Sequence, residues 1–166
     1  MANLTSTKAS NPGSVQAASG FRRSINIDWN DIVAITHAAD NDTVTFTIPV
    51  KAGEEVTHVG VKLVTAFNDS GGGDELNIEV GDGDDANGYI ETAALHTDQT
   101  EITWVSNTGD LVDANAEGDA TKLYVADDTV DILITPNVST GTDYNLNELT
   151  AGELFVVVIG NSYVAE

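Results

Sequence analysis

The chain has no cysteine, and of its 166 residues only 6 are basic, 3 are proline and 1 is methionine. Without cysteine there is no disulfide framework, no thiol nucleophile and no thiolate zinc site. Six basic residues against 27 acidic ones, a net charge of −21, argue against DNA or RNA as a partner of the body, because phosphate binding is driven by Lys and Arg. The same imbalance repels anionic lipid. Long hydrophobic runs are also missing: the longest unbroken apolar stretch, residues 154–159, is six residues long. The first twenty residues lack a basic start followed by an apolar run. No segment therefore reads as a signal peptide or a membrane span.

The length is that of one domain. Val, Ile and Thr supply 48 residues against ten Leu, a balance that favours the pleated sheet over the helix. From residue 24 onward the apolar pattern has period two. Val44, Phe46, Ile48 and Val50 share one face and Thr43, Thr45 and Thr47 the other, which predicts a half-buried strand. Pro49 places that strand at an edge or near a strand end. Residues 51–54 read as a turn, and Val59, Val61, Leu63 and Phe67 as the inward row of the next strand. Leu76, Ile78 and Val80 repeat the device, as do Ile102 with Trp104, Leu123 with Val125, and Val130, Ile132 and Ile134. Residues 154–159 are apolar on both faces, which predicts a strand in the middle of a sheet. Ile25, Ile27 and Trp29 begin the body, and residues 68–74, with three successive glycines, read as a hairpin connection. Helix is expected only as single turns at 91–96, 111–117 and 145–149. The expectation is an all-β chain: one antiparallel β-sandwich or jelly roll of about eight strands over residues 24–166.

Residues 1–23 are set apart by charge. Lys8, Arg22 and Arg23 fall there with no acid, while all 27 acids follow with only Lys51, Lys62 and Lys122 to offset them. This segment is rich in Ser, Thr, Asn, Ala and Gly, and it buries little by itself. Two readings stand: an untethered terminus, or an extended arm that orders on a partner, with Phe21 as apolar anchor and Lys8, Arg22 and Arg23 as its charged contacts.

Catalytic patterns are thin. His37, His58 and His96 have no paired spacing, and no Gly-x-Ser-x-Gly elbow occurs. With 27 acids, a glycosidase-like carboxylate pair would arise by chance. Residues 81–86, Gly-Asp-Gly-Asp-Asp-Ala, follow the strand at 76–80 with the glycine spacing of a dinucleotide turn. No amphipathic helix follows, and three aspartates would repel a pyrophosphate. Asp82, Asp84, Asp85 and Asn87 offer hard oxygen ligands for calcium, yet counting twelve positions from Asp82 reaches Ala93 where an EF-hand needs Glu. The alternative is an Asp/Gly turn whose side chains cap their own backbone.

Three stretches carry a family resemblance. They are residues 59–68, Val-Gly-Val-Lys-Leu-Val-Thr-Ala-Phe-Asn; residues 76–90, Leu-Asn-Ile-Glu-Val-Gly-Asp-Gly-Asp-Asp-Ala-Asn-Gly-Tyr-Ile; and the closing run Gly-Glu-Leu-Phe-Val-Val-Val at 152–158. Together with the turn at 48–54, they resemble segments of the capsid decoration, or cement, proteins of tailed bacteriophages. The resemblance is concentrated in residues 44–91 and the last strand. It implies a jelly-roll body, often a homotrimer, clamped to the major capsid protein on the outer surface of the virion, with no cofactor and no catalysis. Two alternatives come from other classes. One is a carbohydrate-binding jelly roll using Trp29, Trp104, Tyr89 or Tyr124 as a stacking platform, with both Trp residues better placed in the core. The other is an enzyme of a halophilic organism.

Overall fold

The computed structural model describes residues 19–35, 42–69, 76–95, 104–106, 121–136 and 146–163. Among the described residues nine strands occur in the order β1 (Ser19–Asp28), β2 (Val44–Val50), β3 (Glu54–Asp69), β4 (Leu76–Gly81), β5 (Ile90–Ala94), β6 (Trp104–Ser106), β7 (Lys122–Leu123), β8 (Asp128–Pro136) and β9 (Leu149–Ser162). A five-residue helix, α1 (Trp29–Val33), follows β1, and a single 3-10 turn (Leu146–Glu148) precedes β9.

The pairing is that of one long folded hairpin. Leaving aside the two-residue β7, first pairs with last: β1 with β9, β2 with β8, β3 with β6 and β4 with β5, all antiparallel. Folding the hairpin over adds β3 against β9 and β4 against β8. Two sheets result, one ordered β1-β9-β3-β6 with β7 also on β3, the other β2-β8-β4-β5. This connectivity is a jelly roll.

The core lies between the sheets, where alternation delivers one face of each strand. Val44, Ile48 and Val50 of β2, Leu76, Ile78 and Val80 of β4, and Val130, Ile132 and Ile134 of β8 are all buried, as the period-two pattern predicts. From the other sheet come Val56, Val59, Val61, Leu63 and Phe67 of β3 and Leu154, Val156 and Val158 of β9. β9 runs between β1 and β3, the central place expected of a strand apolar on both sides, and β2 with Pro49 is a sheet edge. Register shifts after Val56 and Leu63 mark bulges in β3. They break its inward row into unequal steps, which is why Val56 falls out of phase with Val59.

Several expectations need correction. Residues 19–23, read from the sequence as part of the arm, belong to the body, because β1 pairs in unbroken register from Ser19 with Ser162 to Asp28 with Glu153. Trp29 is in a helix, not a strand. Asp28 accepts hydrogen bonds from the amides of Asn30 and Asp31, and the Asp31 carboxylate in turn accepts one from the Asp28 amide, a reciprocal cap that starts α1. Residues 90–94 are strand β5 instead of a helical turn. β3 and β4 lie in different sheets, so the link between them is a crossover and no hairpin. Leu123 and Val125 are 52% and 90% exposed, and Tyr124 between them is buried. The parity is reversed there because the Tyr124 hydroxyl has partners inside. Ile102 and residues 111–117 lie outside the described residues.

Candidate interaction surface

The loop between β4 and β5 is closed by Asp82. Its Oδ1 accepts from the amides of Asp84 and Asp85 at 3.0 and 3.2 Å, and its Oδ2 accepts from the Tyr124 hydroxyl at 2.8 Å and from Lys122 Nζ. The side chain is fully buried. Tyr124 spends its one hydroxyl proton on Asp82, so Tyr89 must donate to Tyr124 across their 2.5 Å contact. Burial would raise the Asp82 carboxyl, but the bonds from Lys122, Tyr124 and the two amides outweigh it and hold it below its ordinary value. Gly81 permits the turn, since a Cβ there would sit 1.9 Å from the Asp85 carbonyl oxygen. Of the calcium candidates, Asp82 therefore caps its own backbone and already holds a lysine. Asp85 accepts weakly from the Asn87 amide at 3.4 Å, and Asp84 is exposed, 3.4 Å from Lys122 Nζ. Among the described residues no group of three or more His, Asp or Glu could hold a metal ion.

Arg23 and Phe21 are parts of the body. In register with Val158 and Gly160, they face the interior. The Arg23 guanidinium donates to both oxygens of Glu54 at 2.6 and 2.7 Å and lies 4.6 Å from the Phe21 ring centre. Glu54, itself buried, also accepts from the Lys51 amide at 2.8 Å. The bond from Arg23 is the main reason its carboxyl lies below the ordinary value. The reading of Phe21 and Arg23 as free contacts outside the core is thus corrected: alternation along an edge strand turns both inward. Arg22, one position out of phase, is exposed, and Lys8 lies outside the described residues.

The two outer faces of the sandwich differ in chemistry. On the four-stranded sheet, β2, β4, β5 and β8 contain no basic residue. Their outward positions include Thr45, Thr47, Glu79, Thr92 and Asp131, with Thr92 donating to Glu79 and Thr129 to Asp131. On the five-stranded sheet the outward residues of β9 are Phe155, Val157 and Ile159. Register sets Ile159 between Arg22 and His58, and Phe155 between Asn26 and Lys62. The Arg22 guanidinium lies 5.9 Å from the Phe155 ring centre. Ile159 is 38% exposed and Val64 of β3 40%. Lys62, Val64, Phe155 and Ile159 were missed in the sequence as surface residues, and Val157 between the last two is buried by its neighbours. Their signal was the same two-faced apolar run that placed β9 centrally.

The proposed stacking rings fare differently. Tyr89 and Tyr124 are buried, which corrects the reading of either as a stacking platform. Trp29 is half-buried against the core and borders an open cleft of about 360 Å³ with Asp28, Thr65, Thr150 and Glu153. The side chain of Trp104 lies outside the described residues.

No protein-family model matches the chain, and no curated protein matches it. Solved structures do match in fold. A chain of the cyanophage Pam1 capsid asymmetric unit superposes with a TM-score of 0.56 at 14% identity, over 98% of this chain and 99% of that one. A chain in the acidic stable capsid structure of Helicobacter pylori bacteriophage KHP30 superposes with a TM-score of 0.50 at 11% identity, over 89% and 92%. The structural likeness is to phage capsid chains.

Proposed function

We propose that this chain is a structural virion protein that binds the outside of a phage capsid shell and stabilises it, with the major capsid protein as its partner and without catalysis. The observation that carries this reading is the near-complete mutual coverage with a capsid chain, 98% and 99%. A chain of like fold and nearly the same extent is part of a phage capsid asymmetric unit. The chemistry is consistent: the charged clusters inside the body are occupied by one another, as Asp82 is by Lys122 and Glu54 by Arg23. A net charge of −21 keeps a densely displayed protein hydrated.

The mechanism is mass action. A protein that binds the assembled shell and not its separated parts shifts the equilibrium against rupture. Assembly as a homotrimer, which the family resemblance implies, would let the second and third bodies dock at high effective concentration. The acid-free segment with Lys8 supplies a further contact in this reading. The test is co-sedimentation of the full chain with shells that lack it, together with its mass in solution. Binding, with a raised temperature of shell rupture and a trimeric mass, is expected. Lys8→Glu should weaken binding if that segment is a tether. Absence of binding overturns the reading and favours glycan recognition, for which the cleft beside Trp29 is a candidate place among the described residues and a glycan array the measurement.

A further inference from the structure

We propose that the outer face of the five-stranded sheet is the docking face, fitted to a protein surface that presents an apolar strip bordered by carboxylates, and that the four-stranded sheet faces solvent. The inference rests on the shell-binding reading above and assigns that partner surface to the shell. Three observations carry it. First, of the described large apolar residues that stand exposed within strands, Val64, Ile159 and Leu123 all belong to the five-stranded sheet and none to the other. Clustered apolar exposure on one face of a soluble domain marks an interaction site.

Second, charge is sorted the same way. Arg23, Lys51 and Lys122 are neutralised within the chain by Glu54, Asp127 and Asp82. Arg22 and Lys62 make no ion pair among the described residues, and both flank Phe155 on this face. In a chain with 27 acids, two cations that none of the described carboxylates meets on one apolar face suit carboxylates from outside. Third, the acids on this face are already engaged at its ends. Glu55 accepts from Thr121, Asn161 and Tyr163, and Glu153 accepts from Asn26. The centre is therefore apolar and cationic, and among the described residues the opposite face carries threonines and acids around Leu133 and no base. A second copy docked front to back would bring an acidic face to this one, but such a contact does not close and leads to filaments.

The experiment is co-sedimentation of the full chain with shells that lack it, using three variants: Arg22→Glu with Lys62→Glu, Ile159→Asp, and Thr45→Glu with Thr47→Glu on the opposite face. Urea unfolding confirms that each is folded, and the charge reversals decide should Ile159→Asp fail to fold. The expected result is a loss of at least about tenfold in affinity for the first two and less than about twofold for the third. Wild type that binds while only the opposite-face variant weakens, or while none does, overturns the assignment and leaves the shell-binding reading standing. Wild type that does not bind overturns both. A change in solution mass for the first two variants, with shell binding intact, also overturns it and makes this face a contact between copies.

Discussion

Arg23 and Glu54, 31 residues apart in sequence, meet in a two-point ion pair at the rim of the sandwich interior, 2.6 and 2.7 Å between their atoms. Arg23 stands on the edge strand β1 and Glu54 opens β3, with β9 between them in the sheet. The pair therefore fastens the outermost strand to a strand it does not touch by backbone bonds. Arg23→Ala leaves a buried carboxylate without its partner. The expected cost is about 3 kcal/mol in urea unfolding, and Arg23→Lys should recover only part of it, because an ammonium cannot make the parallel two-point contact. An unchanged midpoint for Arg23→Ala would refute the pair's role.

Behind Phe21 the chain needs a residue without a side chain. A Cβ on Gly160 would lie 2.1 Å from the Glu55 carbonyl oxygen and 2.6 Å from the Phe21 ring. Gly160→Ala must push the ring out or part β9 from β3, at about 1–3 kcal/mol. Hydrogen exchange should then speed up first in the N-terminal half of β1, where Phe21 pairs with Gly160. Equal exchange across β1 would show that the ring is not what holds it.

The relay from Tyr89 through Tyr124 to Asp82 predicts graded effects. Tyr89→Phe removes one neutral hydrogen bond and should cost about 1 kcal/mol, whereas Asp82→Asn weakens charge-assisted bonds and should cost about 2–3 kcal/mol. Asp82→Asn should also open the loop, seen as faster exchange at the Asp84 and Asp85 amides that now donate to Oδ1. If both variants lower stability equally, the carboxylate is not the centre of the network.

How much of this was legible in the sequence depends on how local the cause is. Val44 to Val50, Leu76 to Val80 and Val130 to Ile134 declare their inward rows by strict alternation, and each row is buried except Phe46, which is partly so. The failures come where a distant partner decides. Leu123 and Val125 are the more apolar pair, yet Tyr124 turns inward because Tyr89 and Asp82, 35 and 42 residues away, hold its hydroxyl. Arg23 looks like a free cation until Glu54 is brought to it. The helix α1 did have a local signal, the acids at Asp28 and Asp31 that cap it, but it was masked by the β-like spacing of Ile25, Ile27 and Trp29. The proposed docking face was half legible: the run at 154–159 shows two apolar faces, and only the topology reveals that none of the described strands forms a layer above its outward half.

Stability should fall at both ends of the pH scale for reasons set by buried groups. Glu54 is held below its ordinary value by Arg23, and Asp82 by its bonds against burial. An acid whose folded pKa is depressed contributes stability that is complete above its unfolded value, about 4, and is lost as pH falls through the folded one. Tyr89 and Tyr124 are pushed upward, first by burial. A phenol of raised pKa costs stability once the unfolded form ionises, above about pH 10. Urea midpoints should thus drop below about pH 4 and above about pH 10, and Tyr124→Phe should blunt the alkaline limb. Between those limits the net charge of −21 acts through self-repulsion, so added salt should raise the melting temperature at neutral pH. A salt-independent melting temperature would mean that the surplus carboxylates lie too far apart to repel, and that charge has little part in setting the stability of the free protein.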